Sequence, residues 1–181
     1  NYCDCNYNVD DECGVCDGDG SSCAGSVSLS FGSIDGEAGI AEIFMQNDVA
    51  IAGFQFSIND SPNYLDLIDV SGGNAENYNF TVSSSESGTI LGFTLTGTNI
   101  PAGLGVLLVA TFDNNNSEDQ TFDLCLSDPI FSDTNANSVP VTLYSCVEMN
   151  FSSSLPGDLN DDDLVNILDV VILVNIVLGL A

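Results

Sequence analysis

The chain contains no lysine, no arginine, no histidine and no tryptophan. Its 181 residues include 27 Asp and Glu, so the formal net charge at pH 7 is −27. An average soluble domain is about 25% charged with both signs mixed; here the figure is 15% and wholly acidic. Without cations nothing displaces counterions from a phosphate backbone, which excludes nucleic-acid binding. Adhesion to anionic lipid fails for the same reason. Without His there is no Ser-His-Asp or Cys-His catalysis, without Lys no Schiff base, and without either cation no phosphate clamp. Carboxylates remain, and they bind calcium, each divalent ion relieving part of the self-repulsion. Paired carboxylates also cleave glycosides, but the chain lacks the Trp that best stacks on sugars.

Hydrophobic residues make up 44% of the chain, too many for a disordered acidic tail. The length holds one full domain with a real core plus appendages. Seven Cys in an Asn- and Ser-rich acidic chain point to an oxidising, extracellular or cell-surface setting. Four Asn-x-Ser/Thr triplets begin at Asn59, Asn79, Asn115 and Asn150, the first disfavoured by the Pro62 that follows it. A chain starting at Asn1 without a Met or an apolar signal segment reads as a mature or partial product. Lacking Lys and Arg, it is also closed to trypsin-like cleavage.

Residues 1–24 hold five of the seven Cys: Cys3, Cys5, Cys13, Cys16 and Cys23. The stretch from Asp11 to Cys23 is too polar to build a core, so a small disulfide-bonded segment is expected. Cys13 and Cys16 have C-x-x-C spacing, but a zinc site wants a second such pair or His. The piece Asp11-Glu-Cys-Gly-Val-Cys-Asp-Gly-Asp-Gly-Ser-Ser-Cys23 resembles spacer segments of many secreted and surface proteins. If Cys125 and Cys146 pair with each other, one N-terminal Cys is left over: free, bound to another chain, or parted from its partner.

Residues 25–150 read as all-β. Val27, Leu29 and Phe31 alternate with Ser, and Phe54, Phe56 and Ile58 alternate with Gln55 and Ser57. Leu91, Phe93 and Leu95 alternate with Gly92, Thr94 and Thr96; Phe122, Leu124 and Leu126 alternate with Asp123 and Cys125. A period of two marks strands with one face on a core. The unbroken apolar run Val106 to Phe112 suits a strand in the middle of a sandwich. Turn clusters at Asn59-Asp-Ser-Pro62, Ser71-Gly-Gly-Asn74 and Asp113-Asn-Asn-Asn116 separate the runs, the pattern of a β-sandwich. Cys125 shares its face with Asp123, and Cys146 shares parity with Thr142 and Tyr144. Both point off the core, so a disulfide between them requires a strand register that brings them together.

Three segments carry a family resemblance. Asn47-Asp-Val-Ala-Ile-Ala-Gly-Phe-Gln-Phe-Ser-Ile58 is similar to the segment after the second strand of cohesin modules. Ile100-Pro-Ala-Gly-Leu-Gly-Val-Leu-Leu107 resembles their segment leading into a core strand. Phe131-Ser-Asp133 followed by Val139-Pro-Val141 resembles the approach to their last strand. The resemblance covers most of residues 25–150 and implies a mainly β, jelly-roll sandwich of about nine strands, one face of which grips dockerin modules. Cohesins usually lack paired Cys, so Cys125 and Cys146 depart from the pattern.

After a linker at 151–156, residues 157–181 follow an EF-hand-type calcium register. With Asp158 at loop position 1, Asn160 is 3, Asp162 is 5, Leu164 is 7, Asn166 is 9 and Asp169 is 12. Calcium takes six to eight oxygens, and this spacing gathers them from one short turn. Asp163 stands at position 6, where Gly is usual; Asp tolerates left-handed backbone better than most residues. The run from Gly157 to Gly179 resembles a single dockerin repeat, whereas a complete dockerin has two. The helix expected after the loop carries only Asp169 and Asn175 as polar residues between Ile167 and Leu178. They lie about 120° apart at 100° per residue, which leaves no broad polar face. Val170, Val171, Leu173, Val174, Val177 and Leu178 therefore need cover, from the same chain or from another molecule. The run is too short for a membrane span.

Together these parts predict a non-enzymatic extracellular protein that uses calcium. The first expectation is head-to-tail self-assembly into a filament or surface array, the C-terminal helix of one copy docking on the next. The alternative is a cohesin-like protein-binding module of a cell-surface scaffold or polysaccharide-degrading complex. A sugar-binding or glycosidase role would have to draw on Asp66, Asp69, Glu76, Tyr64 and Tyr78, whose spacing prefers no site.

Overall fold

The structure is a computed structural model that describes residues 9, 16–17, 25–63, 65–114, 120–151, 157–160 and 164–180. Eleven strands and two helices occur among them, in the order β1 (Val27–Asp35), β2 (Ile40–Asn47), β3 (Ile51–Ser61), β4 (Leu65–Ser71), α1 (Gly73–Asn77), β5 (Thr81–Ser84), β6 (Thr89–Phe93), β7 (Gly103–Asn114), β8 (Gln120–Asp133), β9 (Ser138–Val139), β10 (Val141–Leu143), β11 (Val147–Phe151) and α2 (Ile167–Leu178). The strands form two sheets, ordered β10-β1-β2-β7-β4 and β11-β8-β3-β6-β5, with β9 also on β8. This is the mainly β sandwich that the alternating pattern predicts, in the jelly-roll form that the cohesin resemblance implies.

The core lies between the sheets. Val27 and Leu29 of β1, Ile43 and Met45 of β2, Phe54 and Phe56 of β3, and Phe122 and Leu124 of β8 are all buried. The rings of Phe54 and Phe80 stack at 5.8 Å between centroids, and Phe54 and Phe131 do the same at 5.8 Å, a geometry that adds to simple area burial. The apolar run 106–112 is indeed central: β7 lies between β2 and β4. Between the pairs Ile43–Leu108 and Phe44–Val106 the β7 strand has one extra residue. This bulge lets Leu107 and Leu108 both reach the core. Two of the cohesin-like segments meet directly, since the Asn47 amide donates to the Pro101 carbonyl at 3.0 Å. Ile51 and Ile100 exchange backbone bonds in both directions at 2.9 Å.

Two expectations are corrected. The strand count exceeds nine because the chain's last third is divided into short pieces. Pro140, which has no N–H to give a ladder, separates β9 on one sheet from β10, which pairs parallel with β1 on the other. The second correction concerns β6. Leu91, Phe93 and Leu95 do not face the core; Ile90 and Gly92 do, while Leu91 is exposed and Leu95 is 86% exposed. The cause is the Phe54 ring: a Cβ built on Gly92 would sit 2.1 Å from Phe54 Cζ. Only a residue without a side chain fits beneath that ring, and its neighbours are turned outward.

Candidate functional site

The outward turn of β6 places apolar side chains on the open face of the β11-β8-β3-β6-β5 sheet. The pairing register aligns them in rows. Ser83, Leu91, Gln55 and Ile130 stand side by side across β5, β6, β3 and β8. The row beside it is Thr81, Phe93, Gly53 and Ser132; the row on the other side is Thr89, Ser57 and Ser127. Leu91 is 42% and Ile130 is 60% exposed. Hydrogen bonds tie the polar neighbours together, Ser57 Oγ to Thr89 Oγ1 at 3.2 Å and Asn59 Nδ2 donating to Ser127 Oγ at 2.6 Å. No carboxylate stands in any of the three rows. In a chain of 27 acidic residues, such a gap matters, because the centre of a protein–protein contact is depleted of charge and retains apolar anchors. The other sheet's outer face carries Glu42 on its central strand β2 and Asp66 and Asp69 on its edge strand β4.

At one border of the face, a one-residue bulge separates the pairs Gln55–Ile130 and Ser57–Ser127. Asp128 sits in it at φ 50°, its carboxylate accepting from Ser127 Oγ at 3.0 Å. At another border, β11 pairs with β8 so that Val147 opposes Leu124. One residue further along, Cys146 meets Cys125 in a disulfide with Cα atoms 4.3 Å apart. Both sulfurs stand off the core, as their parity requires, and the bond closes the end of the sheet.

The C-terminal segment is built around Asp169, the one buried acidic residue among those described. One carboxylate oxygen accepts from the Asn166 N–H at 2.7 Å and the other from the Leu159 N–H at 2.8 Å. Asn166 in turn caps α2, its Oδ1 accepting from the Leu168 N–H at 2.8 Å. This reciprocal capping box starts the helix, and Gly179, in left-handed conformation at φ 68°, ends it. The Asn166 N–H holds the Asp169 carboxyl below the usual aspartate range; burial opposes that, and the Leu159 and Asn160 N–H groups add to it. Loop positions 1 and 12 are thereby folded toward each other, because Asp169 binds the residue next to Asp158. The donors at Asp158, Asn160, Leu164, Asn166 and Asp169 are carboxylate, carboxamide and carbonyl oxygens, the chemistry a hard divalent cation takes. In this arrangement the Leu164 carbonyl accepts from Asn166 Nδ2 at 3.0 Å. Asp162 lies outside the described residues, and no three carboxylate or thiol groups converge among those described.

The helix itself is exposed except at Asp169, which is buried, and at Ile172 and Asn175, which are half-buried. Val170, Val171, Leu173, Val174, Val177 and Leu178 range from 47% to 76% exposed. No helix among the described residues is long and apolar enough to cross a membrane. Cys16 is disulfide-bonded, whereas Cys3, Cys5, Cys13 and Cys23 lie outside the described residues, as does Tyr64. The carboxylates available for sugar chemistry stand apart: Glu76 lines a cleft of about 410 Å³ with Val70, Asn79 and Phe80. Asp66 lines a different one of about 170 Å³ with Asp60 and Glu86.

No protein-family model matches the chain, and no curated protein matches it either. Solved structures do resemble it. The sixth cohesin of scaffoldin B from Acetivibrio cellulolyticus, solved with a Cel5 dockerin mutant, is 17% identical, covers 70% of this chain and 99% of its own, and superposes with a TM-score of 0.55. A non-cellulosomal cohesin from the archaeon Archaeoglobus fulgidus is 18% identical, covers 76% and 99%, and gives 0.54. A type I cohesin from Clostridium thermocellum, solved in complex with a dockerin, is 15% identical, covers 71% and 94%, and gives 0.51. At such identities the likeness is one of fold: the sandwich is cohesin-like.

Proposed function

We propose that the chain is a protein-binding module that seats a dockerin-type partner on the outer face of the β8-β3-β6-β5 strands. The observation that carries the reading is the row Leu91–Gln55–Ile130, which sets two exposed aliphatic side chains in a row without a carboxylate on a molecule of charge −27. A partner that lands there desolvates two aliphatic anchors, with Asp128 of the β8 bulge, bonded to Ser127, as the ionised group at their margin, which limits the main cost of burying an acidic surface. Ser57, Thr89, Asn59 and Ser127, already hydrogen-bonded to one another, offer a polar border that loses little side-chain freedom on binding. Fold neighbours solved with dockerins supply the class of partner, and an extracellular or cell-surface scaffold is the setting. Calorimetry of the full chain against calcium-loaded dockerin modules tests the reading: binding is expected, and Leu91→Glu or Ile130→Glu should weaken it at least tenfold.

A second reading rests on α2. A mostly exposed apolar helix makes head-to-tail assembly a use for residues 157–181, with calcium held by Asp158, Asn160, Asp162, the Leu164 carbonyl, Asn166 and Asp169. Bound calcium would supply positive charge that stiffens the loop from which α2 departs. On this reading light scattering gives a multimer in calcium, and a monomer in excess chelator or in the Leu173→Glu/Val177→Glu variant. A monomer under all conditions leaves the first reading alone standing.

A further inference from the structure

We infer that Asn79 is the acceptor for an N-linked glycan, and that the glycan shields the edge of the six-stranded sheet. Of the four Asn-x-Ser/Thr triplets, the structure separates three. Asn59 lies inside β3, paired with Cys125 of β8, its Nδ2 committed to Ser127 Oγ at 2.6 Å, with Pro62 just beyond the triplet. Asn150 lies inside β11, its Oδ1 accepting from Thr121 Oγ1 at 2.6 Å. Asn79 is exposed like these two but differs in backbone and in side-chain bonding. It lies in the turn between α1 and β5, in left-handed conformation at φ 58°. Its backbone N–H is bound to the Glu76 carbonyl at 2.9 Å, and no hydrogen bond holds its side-chain amide among the described residues. Thr81, which completes the triplet, is exposed at the first position of β5. Asn115 lies outside the described residues.

A separate observation gives the glycan a role. Among the described residues β5 pairs only with β6, so its far side is an unpaired edge there. The opposite edge strand, β11, carries Glu148 and is tied by the Cys125–Cys146 disulfide next to it. β5 reads Thr-Val-Ser-Ser, with no charge and no proline, the kind of edge that recruits strands from other chains unless something blunts it. A hydrophilic glycan rooted two residues before that strand provides the missing block. In the transfer, Asn79 Nδ2 forms a bond to the anomeric carbon of a sugar carried on a polyprenyl pyrophosphate. The sugar–phosphate bond breaks, the pyrophosphate leaves with the electron pair, and Nδ2 loses one proton. The proposal requires export through a compartment that holds such a donor, and it does not depend on which partner the sandwich binds.

Mass spectrometry of the native protein tests it. Trypsin is useless on a chain without Lys or Arg, but cleavage after glutamate releases residues 77–86, which contain Asn79 and no other triplet of this kind. The expected result is a 77–86 peptide bearing a sugar mass, converted to Asp at position 79 by enzymatic deglycosylation, with the Asn59 and Asn150 peptides bare. Thr81→Ala made in the same host should lose the whole sugar mass while Asn79 remains. An unmodified 77–86 peptide as the only species, or sugar on Asn59 or Asn150 with Asn79 bare, overturns the proposal.

Discussion

Gly92 shows how one residue sets the use of a whole face. The space its missing side chain leaves is filled by the Phe54 ring, which stacks in turn on Phe80 and Phe131. Gly92→Ala forces a methyl group into that ring and should destabilise the fold by about 1–3 kcal/mol, as overpacked cores do. An unchanged urea midpoint would show that the ring is not seated as described. Asp133 works differently, through charge. Its carboxylate accepts from the Asn137 N–H at 2.8 Å, from the Asn137 amide at 3.0 Å and from the Asn135 N–H at 2.8 Å, bonds that hold its pKa below the ordinary aspartate value. A carboxyl depressed on folding contributes stability that is complete above its unfolded pKa of about 3.9 and lost as pH falls through the lower folded value. The advantage of the native protein over Asp133→Asn should therefore be constant near neutral pH and vanish in acid. A difference that does not shrink as the pH falls through the acid range would contradict this account of the turn.

Among the elements, strands were more legible than faces. The alternation of Phe54, Phe56 and Ile58 against Gln55 and Ser57 locates β3 and its buried side correctly, because only one of the two sets is apolar. In β6 both sets contain an aliphatic residue, Ile90 in one and Leu91 in the other. Period two cannot rank them, and the decision falls to Gly92 beneath a ring from another strand. The proposed docking face was hidden for the same reason, since its rows exist only once β5, β6, β3 and β8 are in register. The Asn166–Asp169 capping box and the Gly179 cap are local, yet they went unread because the calcium-loop register claims both box residues as ligands. Disulfide pairing was half readable: parity sets both sulfurs outside the core, but only the β11–β8 register sets Cys146 opposite Cys125. The bond closes a loop of 21 residues' separation, so the Cys125→Ser/Cys146→Ser pair should lose roughly 3 kcal/mol. Equal urea midpoints for the two proteins would show that the bond constrains nothing. Helix α2 is the converse case. Its boundaries follow from its sequence, while its cover, which an apolar sequence calls for, is not supplied among the described residues.

At the scale of the molecule, the absence of cations is most informative where the anions are also absent. Carboxylates cover the turns, the outer face of the first sheet and the calcium-type loop, and they keep copies of the chain apart through a charge of −27. The three rows across β5, β6, β3 and β8 hold none, leaving Leu91 and Ile130 among hydroxyl and amide groups, with Asp128 of the β8 bulge beside Ser127. Mutual repulsion between like chains leaves these rows as a place where an approaching protein meets little charge. The most direct test is calorimetry of the full-length chain with dockerin modules, comparing Leu91→Glu and Ile130→Glu with Leu104→Glu. Leu104 is more open to solvent, at 71% exposed against 42% for Leu91 and 60% for Ile130, and belongs to the other sheet. The account predicts binding that the first two substitutions abolish or weaken at least tenfold and the third leaves intact. Binding that survives both face substitutions, or that fails with Leu104→Glu instead, would contradict it.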